Sequence, residues 1–200
     1  MTANAEVQPG DVAREFRSGY RLLQMLVGIR LRSVTDPESR RHLSWLSDVT
    51  AAMALLDRRM PDQGSVDFAG YLEDAAEFWR RARQGRPLRI DLRASPTPAP
   101  VSHVLPMAIV VHELVSNAVR HAFPDNRRGS IAIAWSPASD GVSLVVRDSG
   151  VGAEHLVFGD GPSLVVGLVE HLGGAMTIET APGAGVGVRI RLPIRPETTH

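Results

Sequence analysis

Glu113, Asn117, Arg120 and His121 stand close together in a stretch whose apolar residues recur at helical spacing. At about 100° per residue, Met107, Ala108, Val111, Leu114, Val115, Ala118, Val119 and Ala122 share one arc of a helix running from His103 to Phe123, and the four polar residues gather opposite. A carboxylate, an amide, a guanidinium and an imidazole on one stripe suit a metal–phosphate site. Asn117 offers a neutral oxygen to Mg²⁺, Glu113 can orient or deprotonate a water, and Arg120 can pair with phosphate. An ordinary polar helix face is the alternative for these residues taken alone.

Three glycine-bearing segments follow in order. Asp148-Ser149-Gly150-Val151-Gly152 comes directly after the apolar strand Val142–Val146. Its carboxylate at a sheet edge could accept a hydrogen bond from an exocyclic amine such as that of adenine, and its glycines let the backbone approach a flat ligand. Gly159-Asp160-Gly161 precedes a helix expected to begin at Pro162, where backbone amides favour phosphate oxygens. Pro182-Gly183-Ala184-Gly185 precedes the last strand. A turn, a loop before a helix and a hairpin turn are the alternatives for each alone. In fixed order, each of the four segments has a role around one nucleotide.

The elements that position them divide the chain into a tail, a helical hairpin and an α/β unit. Residues 1–10 read as a disordered tail. A helix runs from about Asp11 to Val34, with Phe16, Tyr20, Leu23 and Val27 on one stripe and Leu22, Met25 and Ile29 beside it. Thr35-Asp36-Pro37-Glu38 combines a turn with helix-start chemistry, and a second helix with Leu43, Leu46, Val49, Met53 and Leu56 in register reaches about Arg59. Pro61–Gly64 stops it. The two helices form an antiparallel hairpin over 11–62. Their apolar faces are too broad for a single seam, so they are expected to pair with a second copy through residues 11–60 as a homodimeric four-helix bundle; packing on the chain's own C-terminal part is the alternative. Over 63–195, Asp67 caps a third helix to about Arg83 and Leu88–Ala94 is a strand. Ser95–Pro100 is a loop, and the His103–Phe123 helix follows. Strands Ser130–Ser136 and Val142–Asp148, a loop over Gly150–Gly161, a helix to Leu172 and strands Ala175–Thr180 and Val186–Leu192 complete an α+β sandwich with helices on one sheet face. Adjacent strands without intervening helices exclude a Rossmann fold.

Bulk composition narrows the classes. Apolar residues make up 44% of the chain, enough for a core, and no stretch is expected to reach membrane-span length. Cysteine is absent, which excludes disulfides and cysteine-based metal chemistry. The N-terminus lacks the pattern of a secretion signal, so the cytoplasm is the expected compartment. With 22 basic and 22 acidic residues, nothing points to a nucleic-acid partner. Every basic residue other than histidine is arginine, so any cationic phosphate contact uses a planar guanidinium fork.

The run His112-Glu113-Leu114-Val115-Ser116-Asn117-Ala118-Val119-Arg120-His121-Ala122-Phe123 resembles the N box of the GHKL ATPases, the superfamily of histidine kinases, gyrase, Hsp90 and MutL. Asp148–Gly152 resembles the G1 box. Gly159–Gly161 with Leu164-Val165 and Gly167–Gly174 is similar to the G2 box and its helix, and Pro182–Gly185 resembles the turn before the last strand. The chain looks most like sensor histidine kinases of the HisKA_2 and HWE groups, from about residue 13 onward. The resemblance implies a Bergerat-type ATP-binding domain with ATP and Mg²⁺ as cofactors. It implies Glu113 as base or water-orienting residue, Asn117 as Mg²⁺ ligand, Arg120 on phosphate and His121 in the same pocket. Asp148 would bind the adenine amine beside Gly150 and Gly152, with Gly159 and Gly161 flanking the phosphates.

This sequence departs from that pattern in three places. Only Ala153–Phe158 separates the two glycine boxes. Val186 stands where the kinases usually show threonine. Aligning Leu23-Gln24 with the family's Leu-Gln places Arg17 where the phosphoacceptor histidine belongs, with Phe16 and Ser18 beside it, and a permanently protonated guanidinium is no nucleophile. The expected function is a histidine-kinase-like protein of two-component signalling that binds ATP and Mg²⁺ but lacks the usual acceptor. Its expected partner is a response-regulator receiver domain or another kinase. The alternatives are a non-catalytic docking or inhibitory protein and an anti-sigma-factor-type serine kinase.

Overall fold

The computed structural model describes residues 22–59, 65–82, 85, 87–153 and 160–193. Helix α1 covers 22–33 and α2 Pro37–Asp57, joined by a three-residue turn. Asp36 caps α2, its carboxylate accepting from the Ser39 amide at 2.7 Å with Pro37 in the first turn. The guanidinium of Arg40 donates to the Leu31 carbonyl at 3.2 Å across the hairpin. The tail 1–10, Arg17 with its neighbours, and the Pro61–Gly64 break lie outside the described residues.

The face that α2 buries overlaps the expected stripe at Val49 and Leu56 and departs from it at Leu46. Val49, Ala52 and Leu56 are buried, whereas Leu46 is 43% exposed. The steps of three and four residues continue back to half-buried Trp45, so the seam against the rest of the chain is Trp45, Val49, Ala52 and Leu56. The end of α2 is tied to α3 (Phe68–Ala82) by Arg59, whose guanidinium donates to both Asp74 carboxylate oxygens at 2.9 and 3.1 Å. Asp67 caps α3 by accepting from the Gly70 amide at 2.9 Å.

A two-stranded ribbon, β1 (Ser65–Val66) against β3 (Ala99–Pro100), leads into α4. Here the proline-rich loop expected over Ser95–Pro100 is corrected: its last two residues pair with β1, and α4 starts at Val101 rather than His103. The main sheet contains β2 (Leu88–Ala94), β4 (Gly129–Ala138), β5 (Gly141–Asp148), β6 (Ala175–Thr180) and β7 (Val186–Pro193), in the order β2-β4-β5-β7-β6. β2 and β4 run parallel with α4 as the crossover, and the other pairs are antiparallel. Register puts Ile90, Ile131, Ile133, Trp135, Leu144, Val146, Val188, Ile190 and Leu192 on one face, and all are buried. That face lies beneath α3, α4 and α5 (Asp160–His171). The fold is therefore α+β, as read from the strand and helix order.

With its continuation to Ala122, α4 spans 22 residues and is apolar enough by composition to cross a membrane. The expectation that no stretch reaches that length is corrected. More than half of its apolar window, 56%, is buried against the sheet and neighbouring helices. A helix enclosed on most sides reads as apolar nearly all round, so its composition records burial in the core.

The core is sensitive at Trp135, which is 1% exposed and meets Phe68 edge to face at a centroid distance of 4.8 Å. Trp135→Ala is expected to cost about 3–5 kcal/mol, read as a lower urea midpoint with an unchanged slope. A shift below about 1 kcal/mol would show that the core closes over the gap.

Candidate functional site

Helix α4 (Val101–Asn117) passes into a π turn at Ala118–Ala122, where the Ala118 amide is shared between the Leu114 and Val115 carbonyls. The wider turn advances each residue less about the axis, so an ideal helical wheel fails here. Glu113 is only 2% exposed and His112 is also buried. Asn117, one turn on, is half-buried, and Arg120 and His121 are exposed. Burial divides the four: Glu113 is enclosed, Asn117 is half-buried, and Arg120 and His121 are exposed, although the Arg120 charge still reaches Glu113. The Arg120 Nε donates to the Ser116 carbonyl at 3.3 Å. His112 contacts the Ser116 hydroxyl at 3.3 Å and lies beside the Trp79 ring.

The buried Glu113 carboxylate accepts a hydrogen bond from the Trp45 indole N–H on α2. Burial pushes its carboxyl above the ordinary range. The Trp45 hydrogen bond and the Arg120 charge oppose that shift, and Asp48 adds to it.

At the end of β5, Asp148 is 6% exposed. Burial pushes its carboxyl up as well, opposed by the backbone amides of Gly150 and Val186 and by the Arg147 charge. One carboxylate oxygen accepts from the Gly150 amide at 2.8 Å. The glycines around it are required by contact. A Cβ at Gly150 would collide with the Ala122 carbonyl, and one at Gly185 with the Asp148 carbonyl. Gly152 has φ +61° and would collide with Ala181. The Val151 amide donates to the Ala122 carbonyl at 3.0 Å, and the Gly183 amide donates to the Val151 carbonyl at 2.6 Å. The structure therefore joins Asp148, Gly150, Gly152, the end of the α4 helix and the Gly183–Gly185 turn in one cluster.

Gly159 lies outside the described residues. Gly161 falls in the first turn of α5, which begins at Asp160, two residues before the expected start. A separate cleft lined by Arg80, Arg89, Arg128, Ser130 and Ser149 includes none of Glu113, Asn117 or Asp148.

Two contributors were not anticipated from sequence. Trp45 is one, legible only as the start of the stripe completed by Val49, Ala52 and Leu56. Thr180 is the other. Its hydroxyl accepts from the Ala153 amide at 3.0 Å and lies 3.1 Å from the Gly185 carbonyl, tying the loop after Asp148 to the last turn. It sits directly across the strand pair from Val186, so a hydroxyl is present beside the position where threonine was missing.

Residues 78–189 match the family model described as a histidine kinase-like ATPase domain, and the chain belongs to that family. Over 56 residues it is 41% identical to a blue-light-activated histidine kinase of Rhizobium johnstonii, a match covering 28% of this chain and 16% of that protein. Its fold is similar to the histidine kinase domain of the Erythrobacter litoralis EL346 blue-light activated histidine kinase. That similarity has a TM-score of 0.69 and 21% identity over 86% of this chain and 95% of that one. Full-length ShkA in complex with AMPPNP is similar with a TM-score of 0.55 and 20% identity, over 93% of this chain and 45% of that one. The structural likenesses establish the fold.

The raised Glu113 carboxyl sets a pH dependence. The folded state holds its proton at pH values where the unfolded chain, with an ordinary value of 4.5, has released it. This contribution to stability is fully present below that value and is lost as pH rises through the folded value. Glu113→Gln retains an acceptor oxygen for Trp45 and removes the charge. Its melting temperature is expected to exceed that of the unmutated protein by a few degrees near pH 8, on the order set by about 1 kcal/mol, and to converge with it near pH 4. Parallel melting curves across that range would contradict the assignment.

Proposed function

We propose that this chain is a histidine-kinase-like protein of two-component signalling that binds ATP with Mg²⁺ between α4 and the loops after β5 and β6. The observation that carries the reading is the buried Asp148 carboxylate, set among glycines whose contacts leave no room for side chains. Its remaining acceptor capacity suits an adenine amine. Glu113 acts as base or water-orienting residue, Asn117 as Mg²⁺ ligand and Arg120 as phosphate contact, with His121 lining the same pocket. Gly150 and Gly152 flank the base, and Gly159 and Gly161 flank the phosphates beside the N-terminus of α5. Among the described residues no three His, Asp or Glu side chains gather as a metal cage. Mg²⁺ would be held mainly by phosphate oxygens and water, with one or two protein ligands. Bound ATP would supply the transferable phosphoryl group, while the chain's residues orient it and exclude water.

Residues 11–62 serve as a dimerising, phosphotransfer-like hairpin and 63–195 as the ATP-binding domain, after a tail over 1–10. Support for a homodimer through residues 11–60 comes from α1, where Leu22, Leu23, Met25, Leu26 and Ile29 are each about half exposed. The partner is a receiver domain or another kinase in the cytoplasm, with no nucleic acid or membrane. Arg17 at the expected acceptor position favours a second reading, a docking or inhibitory protein that binds ATP without autophosphorylating.

One set of titrations tests this reading. The unmutated protein is expected to bind Mg·ATP in calorimetry, and Asp148→Asn to weaken binding by about 1–3 kcal/mol. γ-Labelled ATP is expected to leave no acid-labile label on residues 11–60. No binding at millimolar nucleotide would reject the ATP site, and label on the hairpin would reject the role given to Arg17.

A further inference from the structure

We propose that Trp45 makes the hairpin an autoinhibitory strap, seated on Glu113 when the nucleotide site is empty and lifted from it when Mg²⁺-nucleotide binds. This deepens the ATP-binding reading and rests on it. Glu113 is 2% exposed, and the group that meets its carboxylate comes from the hairpin, not from the ATPase fold: the Trp45 indole N–H. An indole donates and cannot accept, so its one polar function is used by this contact. With the indole in place, that Glu113 oxygen is covered and cannot turn toward a metal-bound water. Seating of α2 and use of that oxygen therefore exclude each other.

The seat is built to open at one end. Val49, Ala52 and Leu56 hold the later part of α2, and Leu56 belongs to the main core. Trp45 lies toward the hairpin turn, only half-buried, with Leu46 beside it exposed. Rotating the first turns of α2 away would release Trp45 without opening the Leu56 contacts. Asp48, also on α2, repels the Glu113 charge, so like charge on the same helix opposes the hydrogen bond. Coupling of this kind is reciprocal: nucleotide loosens the hairpin, and whatever holds the hairpin down weakens nucleotide binding.

The test uses the full chain, Mg²⁺ and a non-hydrolysable ATP analogue. Trp45→Phe keeps the ring packing and removes the donor. It is expected to bind the analogue about tenfold more tightly than the unmutated protein, the scale of one hydrogen bond to a charged group. In the unmutated protein the analogue should red-shift tryptophan emission, a change lost in Trp45→Phe, and should speed amide hydrogen exchange over residues 37–48 but not 52–57. Hydrogen exchange on the unmutated chain carries the test if the variant does not fold. Equal affinities, or analogue binding with unchanged exchange in α2, overturn the strap and leave the nucleotide site standing. Absence of analogue binding in both proteins overturns the ATP-site reading and the strap with it.

Discussion

The carbonyl of Ala122 receives the amide of Val151 at 3.0 Å, and Gly150 packs against the same residue so closely that no side chain fits between them. This backbone-to-backbone contact joins the end of the longest core helix to the loop that leaves β5. Ala122 is the last residue of the π turn over Ala118–Ala122, which ends at Phe123 with φ −127°, so its carbonyl has no acceptor role within the helix and receives the loop amide instead. The ring of Phe123 is buried where a Cβ at Gly129 would collide with it, pinning the end of the helix to the start of β4. The height of Glu113 and Asn117 relative to Asp148 follows from that pin. About 1.5 Å of rise per residue in the α-helical part sets Glu113 roughly 6 Å back along the axis from Asn117.

Two carboxylates in this framework are kept from water, and the chain solves the cost of their charge differently. Asp148 leans on backbone amides supplied by the tight turns around it, a local solution encoded within its own segment. Glu113 has no such turn, because it sits in the middle of a helix whose amides are already committed. Its donor comes from Trp45, distant in sequence and contributed by the hairpin. A buried carboxylate stripped of its hydrogen bond is expensive, so the hairpin and the ATPase fold are coupled through this residue.

Much of this was legible from sequence because it is local. Strand limits followed from alternation and from glycine or proline at the ends, and Asp36 and Asp67 cap the helices whose starts they marked. The cluster around Asp148 was legible because glycines betray close approach. Three features were not. The Ala99–Pro100 strand exists only because Ser65–Val66 pairs with it across more than thirty residues. The π turn over Ala118–Ala122 leaves no periodic trace, and a helical wheel cannot show that α2 covers Glu113 while Arg120 and His121 stay exposed. Trp45 leaves little signal because Val49 and Leu56 fit a stripe with Leu43, Leu46 and Met53 as regularly as one with Trp45 and Ala52. Which stripe is buried depends on where α4 and α3 lie.

In the proposed site, nucleotide binds where the end of the α4 helix, the Asp148–Ala153 loop and the Thr180–Val186 turn converge. Amide hydrogen exchange with and without Mg·ATP locates that contact directly. Protection of residues 117–123, 148–153 and 180–186 is the predicted result. Protection at the Arg80, Arg128 and Ser130 cleft instead, with those three segments unchanged, would contradict it.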